Sequence, residues 1–451
     1  MLAAMPPTPA TSANQGEPPV RERGDACPGA LRLHPADDGG LARLRLPGGL
    51  LTSRQVEALA AAAQRLGDGH IGVTSRGNVE LRGLGEGCGA GLAELLDGAG
   101  LLPSRTHERV RNVVASPLAG LDEVGAGAPR LWVRELDALL CGAAWAAGLS
   151  GRFLFALDDG RGDVAGLGAD VTLIAEGAGG ARGAEGAEGT AAASAVVRLP
   201  GHRGVRVAAA DAPRAALAAA RAFLDVAGSG AWRVRELPDG VRVDVAGALA
   251  RAGVPGRAVP DVPAVRSGGP APGLVRAPEG TAALCVLAPL GRLTADQWRA
   301  LLPAPADEVR VTPWRGFVVP GFADADAART RLRALADAGF VTAPDHPLLG
   351  VSACTGRPGC AKSLADVRAD VVPAAGALPV HWSGCARRCG RPHGDRVDVL
   401  AVGDGRYEVT VRTGDGDAAV PVPLGASLTE TVATARTAID TRTAEISTLT
   451  R

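Results

Sequence analysis

Between residues 73 and 82 the chain alternates. Val73, Val79 and Leu81 fall on one side of an extended segment, and Thr74, Arg76, Asn78, Glu80 and Arg82 fall on the other. A period of two belongs to a β-strand, so the spacing predicts one strand over 73–82 with an apolar face and a wholly polar one. Such a polar face is ordinarily solvated, but guanidiniums and an amide in one row would equally suit a binding site. Arg109 and Arg111 share the spacing and would add positive charge. Upstream, Thr52-x-x-Gln55 stands ahead of an apolar run. This is the capping box that satisfies orphan amides at the start of a helix.

The same order of features returns near residue 290. Pro47 to Leu59 matches Pro289 to Leu301, and the second copy carries its own Thr294-x-x-Gln297. Val73 to Leu84 lines up with Val311 to Phe322, and Asn112 to Ser116 with Gly350 to Cys354, so register is kept over both pairs. Self-similarity of this kind predicts two related halves. The second copy has no polar face at Trp314 to Pro320, which suggests that the set in the first copy serves a site. The halves meet in a Pro/Gly-rich stretch with the composition of a linker. Glu176 to Ser194 reads as an Ala/Gly/Glu surface insertion without a usable phosphate-binding motif.

Composition narrows the function. The chain has 451 residues, a formal net charge of zero and only 3% aromatic residues. That argues against a nucleic-acid partner, which would need basic stripes and stacking platforms. Lys362 is the only lysine, so a lysine replaced by arginine carries little meaning here. No run reaches the roughly 20 apolar residues that span a bilayer; Leu131 to Leu149 is broken by Arg134, Glu135 and Asp137. The lead before Gly24 has no signal-peptide pattern. The expectation is a cytoplasmic protein with no membrane partner.

Eight cysteines are too sparse for a secreted disulfide scaffold. Four crowd together as Cys354-x5-Cys360 and, after 24 intervening residues, Cys385-x3-Cys389. Four thiolates can hold a cubane cluster, and Gly356, Pro358, Gly359, Gly384 and Gly390 would let the chain wrap it closely. A structural zinc site usually has a tighter knuckle, and zinc remains the alternative with a disulfide behind it. Cys27, Cys88, Cys141 and Cys285 are scattered, as small buried hydrophobes often are.

This cysteine pattern, with Thr74-Ser-Arg-Gly-Asn78 and Arg111-Asn112 far upstream, resembles the nitrite and sulfite reductases and their relatives the precorrin-3B synthases. The resemblance implies an α+β fold: a pseudo-twofold repeat of ferredoxin-like half-domains and of nitrite/sulfite reductase [4Fe-4S]/sirohaem-type α/β domains. It divides the chain into a disordered lead (1–25), a first ferredoxin-like half-domain (26–102), a first reductase-like α/β domain (103–252) with its low-complexity insert (176–194), and a linker (253–280). A second ferredoxin-like half-domain (281–343) and a cluster-binding reductase-like domain (344–451) follow.

The resemblance also implies a [4Fe-4S] cluster on Cys354, Cys360, Cys385 and Cys389, with the position of Cys389 bridging to sirohaem iron in the reductases. Arg76, Asn78, Arg82, Arg111, Asn112 and Arg152 would bind the carboxylates of a tetrapyrrole, for which arginine forks are suited. Ser116 matches Cys354, so the first copy would carry no cluster.

The reductases place two lysines in a Lys-Phe-Lys-like stretch, where this chain has Arg152-Phe153-Leu154, and Leu154 offers no charge to an oxyanion. Cys27-Pro-Gly and the run from Asp38 to Gly49 resemble the precorrin-3B synthases instead. In those monooxygenases precorrin-3A and dioxygen are substrates, a ring carbon is hydroxylated and a ring-A acetate closes a γ-lactone. An external electron donor and a mononuclear non-haem iron are then implied. Such irons are commonly held by two His and one carboxylate, and His393 with Asp395 is the candidate pair. A sirohaem-dependent nitrite or sulfite reductase and a non-catalytic metal-stabilised protein are the alternatives.

Overall fold

The computed structural model describes residues 25–437 apart from 26, 127, 178–191, 229, 260–267, 278–279, 393, 415–418 and 422–426. Both capping boxes form. Thr52 Oγ1 accepts from the Gln55 amide and Gln55 Oε1 from the Thr52 amide, opening the helix Ser53–Leu66, which buries Val56, Leu59, Ala60 and Ala63 at helical spacing. The second copy does the same at Thr294 and Gln297, but its helix, Ala295–Arg299, spans little more than one turn before Pro303. Trp298 of this short helix is fully buried and donates its Nε1–H to the carbonyl of Val56. The two copies therefore share one core.

They also exchange strands. The first five-stranded sheet runs His34–Ala36, Gly39–Leu44, Val79–Leu84, His70–Val73, and is completed by Arg292–Thr294 of the second copy. The second runs Gly273–Arg276, Ala282–Leu287, Gly316–Phe322, Val309–Val311, and is completed by Leu50–Leu51 of the first. Gly49, at φ 71°, makes this exchange possible: a Cβ there would stand 1.9 Å from the carbonyl oxygen of Val311.

Each copy carries a further, mixed sheet as well, of six strands in the first and five in the second. Val113–Ala115, Phe155–Asp158 and Val171–Gly177 run parallel, followed by antiparallel Ala192–Arg198, Gly204–Ala208 and Gly256–Val259. In the second copy Val351–Ala353, Val380–Ser383 and Arg396–Gly403 are parallel, with Arg406–Arg412 and Ala419–Pro421 antiparallel beyond them. The α+β class and the repeat stand.

Four expectations change. The segment 73–82 is not one strand: His70–Val73 and Val79–Leu84 pair antiparallel across a turn from Thr74 to Asn78. Thr74 Oγ1 accepts from the amides of Arg76 and Asn78, and Gly77 adopts φ 63°. Polar alternation ran through a tight turn and hid it. The 253–280 stretch is no plain connector, because Gly256–Val259 and Gly273–Arg276 are edge strands of two different sheets; 260–267 lie outside the described residues. The 176–194 insert begins and ends inside a hairpin, with Glu176 opposite Ser194, and 178–191 lie outside the described residues. Of the 1–25 lead only Asp25 is described, and it is fastened: its carboxylate accepts from the Gly151 amide at 2.6 Å and the Ser150 hydroxyl at 3.0 Å. Among the described residues no helix is long and apolar enough to cross a membrane.

Candidate tetrapyrrole and cluster site

The polar face of the first sheet is the floor of a cavity of about 770 Å³, a size suited to a large organic ligand. Arg43, Glu80, Gly72 and Arg292 lie side by side across four strands. The turn Thr74 to Asn78 forms one wall; Arg152, Arg233, Arg235 and Glu236 form another; Arg315, Arg368, Cys354 and Cys389 close the side toward the cysteine loops. Ten arginines line the cavity against three carboxylates, those of Asp68, Glu80 and Glu236.

Four of the ten are paired. Arg43 meets Glu80 at 3.1 Å, Arg82 meets Asp38 at 2.8 Å, Arg233 meets Asp170 at 2.5 Å and Arg292 meets Asp68 at 2.5 Å. Arg45, Arg76, Arg152, Arg235, Arg315 and Arg368 have no carboxylate within 4.0 Å among the described residues. Burial, reinforced by Arg233 and Arg45, pushes Arg76 down to about 10. Such a surplus of poorly compensated positive charge is what a polyanionic ligand would relieve.

The expected binding residues divide. Arg76, Asn78, Arg82 and Arg152 line the cavity; Arg111 and Asn112 do not. Arg111 forms a two-pronged pair with Asp137 at 2.7 Å on each prong and is 6% exposed. The strand begins only at Val113, so period-two spacing says nothing of where Arg111 points. Asn112 accepts from Asn78 Nδ2 at 2.9 Å and donates to the Phe153 carbonyl at 3.0 Å, while Asn78 Oδ1 accepts from the Leu46 amide. The two amides brace the floor from beneath. Arg82 ties that floor to the cysteine loop by a 3.3 Å bond to the Gly359 carbonyl. Arg152 lies 4.7 Å over the ring of Trp232.

Leu154 is 2% exposed and packs with Val114, Ala156, Val164 and Ala169. It faces away from the cavity, so its lack of charge does not separate oxyanion reduction from other chemistry. Arg233 and Arg235 also line the cavity, and no local motif marked them. Cys27 also lines the cavity, where its sulfur accepts from Arg45 Nη2 at 3.0 Å.

The cysteines fit an iron–sulfur cluster. The Gly384 amide points at Cys354 Sγ from 3.2 Å. A Cβ on Gly384 would stand 1.8 Å from Ser363 Oγ, and Gly356 has φ 72° with Val367 2.9 Å from its would-be Cβ; the loops can pass this closely only as glycine. Burial raises the Cys354 thiol, opposed by the Gly384 and Gly356 amides that favour the thiolate. His381, buried, donates from Nε2 to the Cys389 carbonyl at 3.0 Å and accepts from the Ser352 hydroxyl at Nδ1, 2.9 Å. Burial, then Arg315, pushes it down to about 4, so it holds the loop as a neutral imidazole.

The candidate second iron site does not assemble. His393 lies outside the described residues, and Asp395 is exposed, with its carboxylate accepting from the Gly414 amide at 2.6 Å. One other group gathers ligand-type atoms among the described residues: Asp158, Asp159 and Asp163, all buried. Ser116, the counterpart of Cys354, donates to Asp163 at 2.5 Å, while Asp158 accepts from the amides of Gly160, Gly162, Val164 and Ala165. At the position that Cys354 takes in the second copy, the first copy thus has a serine bonded to one of its own carboxylates.

Burial raises Asp163 to about 7. A carboxyl raised on folding contributes stability that is present below its unfolded pKa near 4 and lost as pH rises through 7. At about 1.4 kcal/mol per unit, the loss reaches roughly 4 kcal/mol at most. Asp163→Asn should therefore flatten the stability profile and be more stable than the parent at pH 8, as read by urea unfolding at pH 5 and pH 8. A parent whose stability does not fall over this range would contradict it.

Residues 34–96 match the family of nitrite/sulfite reductase ferredoxin-like half domains. The chain is 28% identical over 403 residues to a precorrin-3B synthase of Sinorhizobium sp, covering 85% of this chain and 82% of that protein. It is 44% identical over 84 residues to a ferredoxin–nitrite reductase of Synechococcus elongatus, 18% of this chain and 16% of that one. Among solved structures it resembles the Mycobacterium tuberculosis NirA protein, with a TM-score of 0.62 and 17% identity, over 90% of this chain and 82% of that one.

Proposed function

We propose that this chain, which resembles precorrin-3B synthase within the nitrite/sulfite reductase superfamily, is an oxygen-dependent enzyme that converts precorrin-3A to precorrin-3B in aerobic cobalamin biosynthesis. The observation that carries the reading is the cavity lined by ten arginines and opening onto Cys354 and Cys389: it suits a tetrapyrrole with many carboxylates, held beside a centre that passes single electrons. The extent of the likeness favours this branch, because the match to the precorrin-3B synthase runs through most of both chains while that to the nitrite reductase covers less than a fifth of either.

In this reading Arg76, Arg152 and Arg235 take the ligand's carboxylates and fix its orientation, and paired Arg82 keeps the floor in register with the cysteine loop. Asn78 and Asn112 hold the turn carrying Arg76 against the strand that begins at Val113. Cys354, Cys360, Cys385 and Cys389 would hold a [4Fe-4S] cluster, which supplies electrons one at a time when bound. One oxygen atom enters the product and the other leaves as water, with two electrons and two protons from an external donor. Among the described residues no two histidines and a carboxylate are gathered, so no step is assigned to a second iron. All eight cysteines are free, which suits a cytoplasmic location.

A sirohaem-dependent reductase is the second reading, favoured by Arg152 and Arg235, which line the cavity without a carboxylate partner among the described residues and could hold a small oxyanion. The visible spectrum of anaerobically purified protein separates the two. A broad iron–sulfur absorption without sirohaem bands is expected; stoichiometric sirohaem would transfer the assignment to the reductases.

A further inference from the structure

Arg315 occupies a backbone position that glycine fills in the other copy. The two turns are the same. Gly77 donates to Thr74 O and Arg315 to Thr312 O, each at 3.2 Å, and the turns close with Thr74 to Asn78 and Thr312 to Gly316, each at 2.8 Å. Gly77 has φ 63° and Arg315 φ 59°. Glycine adopts this left-handed conformation freely, while a side chain is strained in it. Strain of this kind persists where the surroundings require the side chain.

What Arg315 does there is visible. Its Nη2 donates to the Gly390 carbonyl at 3.2 Å, next to Cys389. Arg368 approaches the other cysteine segment, donating from Nε to Cys354 O at 3.0 Å and from Nη2 to Ala353 O at 3.4 Å. Neither meets a carboxylate among the described residues, and both line the cavity. The thiolate-bound cluster that these cysteines would hold gains a negative charge on reduction, and fixed positive charge beside it favours the reduced form.

We propose that Arg315 and Arg368 are positioning residues that raise the reduction potential of the cluster, each set against one of the two cysteine segments. The inference rests on the cluster reading above. Arg315→Gly is the informative variant, because the Gly77 turn shows that glycine fits this backbone. Midpoint potentials would be read by EPR-monitored redox titration of the full chain, alongside labile sulfide and thermal unfolding.

Arg315→Gly should leave cluster content intact, leave the melting temperature equal or higher, and disfavour reduction at least tenfold, a downward shift of about 59 mV for one electron. Arg368→Gln should shift the potential in the same direction, and Arg315→Lys, which keeps the charge, should hold most of the parent value. Unchanged potentials in Arg315→Gly and Arg368→Gln, with full cluster content, would overturn the inference and leave the cluster reading standing. A parent protein with no reducible cluster would instead fail that reading.

Discussion

Cys360→Ser should strip the chain of its cluster. Anaerobically prepared parent protein is expected to carry about four iron and four labile sulfide per chain, and the variant close to none, with the visible absorption gone. Serine keeps the size of the side chain but offers a hard alcohol that stays protonated, where a cluster needs soft thiolates. The loss should be confined to function and to the loops around residues 354–392. The shared core of the two ferredoxin-like sheets, with Trp298, Leu59, Ile71 and Phe317 buried in it, has no part in holding the cluster. Iron, sulfide and zinc analysis checks this. Stoichiometric zinc in the parent with no labile sulfide would contradict it.

The second large effect separates two arginines that look alike in sequence. Arg111→Ala should cost about 3 kcal/mol of stability: removing one partner of a buried pair typically costs 3–5 kcal/mol, and the lower end applies because the Asp137 side chain keeps 20% of its exposure. Ligand binding by the fraction still folded should be unchanged. Arg76→Ala should do the reverse. It relieves a guanidinium crowded by Arg233 and Arg45, so stability should hold or rise, while tetrapyrrole affinity falls by about 1.5–3 kcal/mol for one charge-assisted contact. Denaturant melts and binding titrations on the two variants read both quantities; equal loss of affinity in both would return Arg111 to the site.

Local rules found what is local. The capping boxes at Thr52 and Thr294 specify helix starts with neighbouring residues alone, and both formed. The strand exchange was invisible, because nothing within Leu50–Leu51 or Arg292–Thr294 says which sheet supplies the partner. The turn at Thr74 was missed although Ser75-Arg76-Gly77-Asn78 carries turn residues, since polar alternation matched a strand equally well.

The cavity shows the same limit. Arg43 and Arg45 alternate with Leu44 and Leu46 and could have been read as a second polar strand face. Arg233, Arg235, Arg315 and Arg368 are isolated arginines in a chain where arginine supplies nearly all the basic charge, so only the fold brings them together. Arg111 was misread because it lies just before the strand that begins at Val113, where period-two spacing stops predicting direction; Leu154 was read from its place in a family stretch, which does not tell which way a side chain points.

Oxygen insertion into a tetrapyrrole is read by isotope labelling. The protein, with precorrin-3A, a suitable reductant and ¹⁸O₂, would be followed by mass spectrometry of the product. A product heavier by one oxygen atom is expected, with that atom carrying the label, and no conversion when dioxygen is withheld. Conversion that persists without dioxygen, or turnover of nitrite or sulfite at about 1 s⁻¹ or faster, an ordinary enzymatic rate, would contradict it.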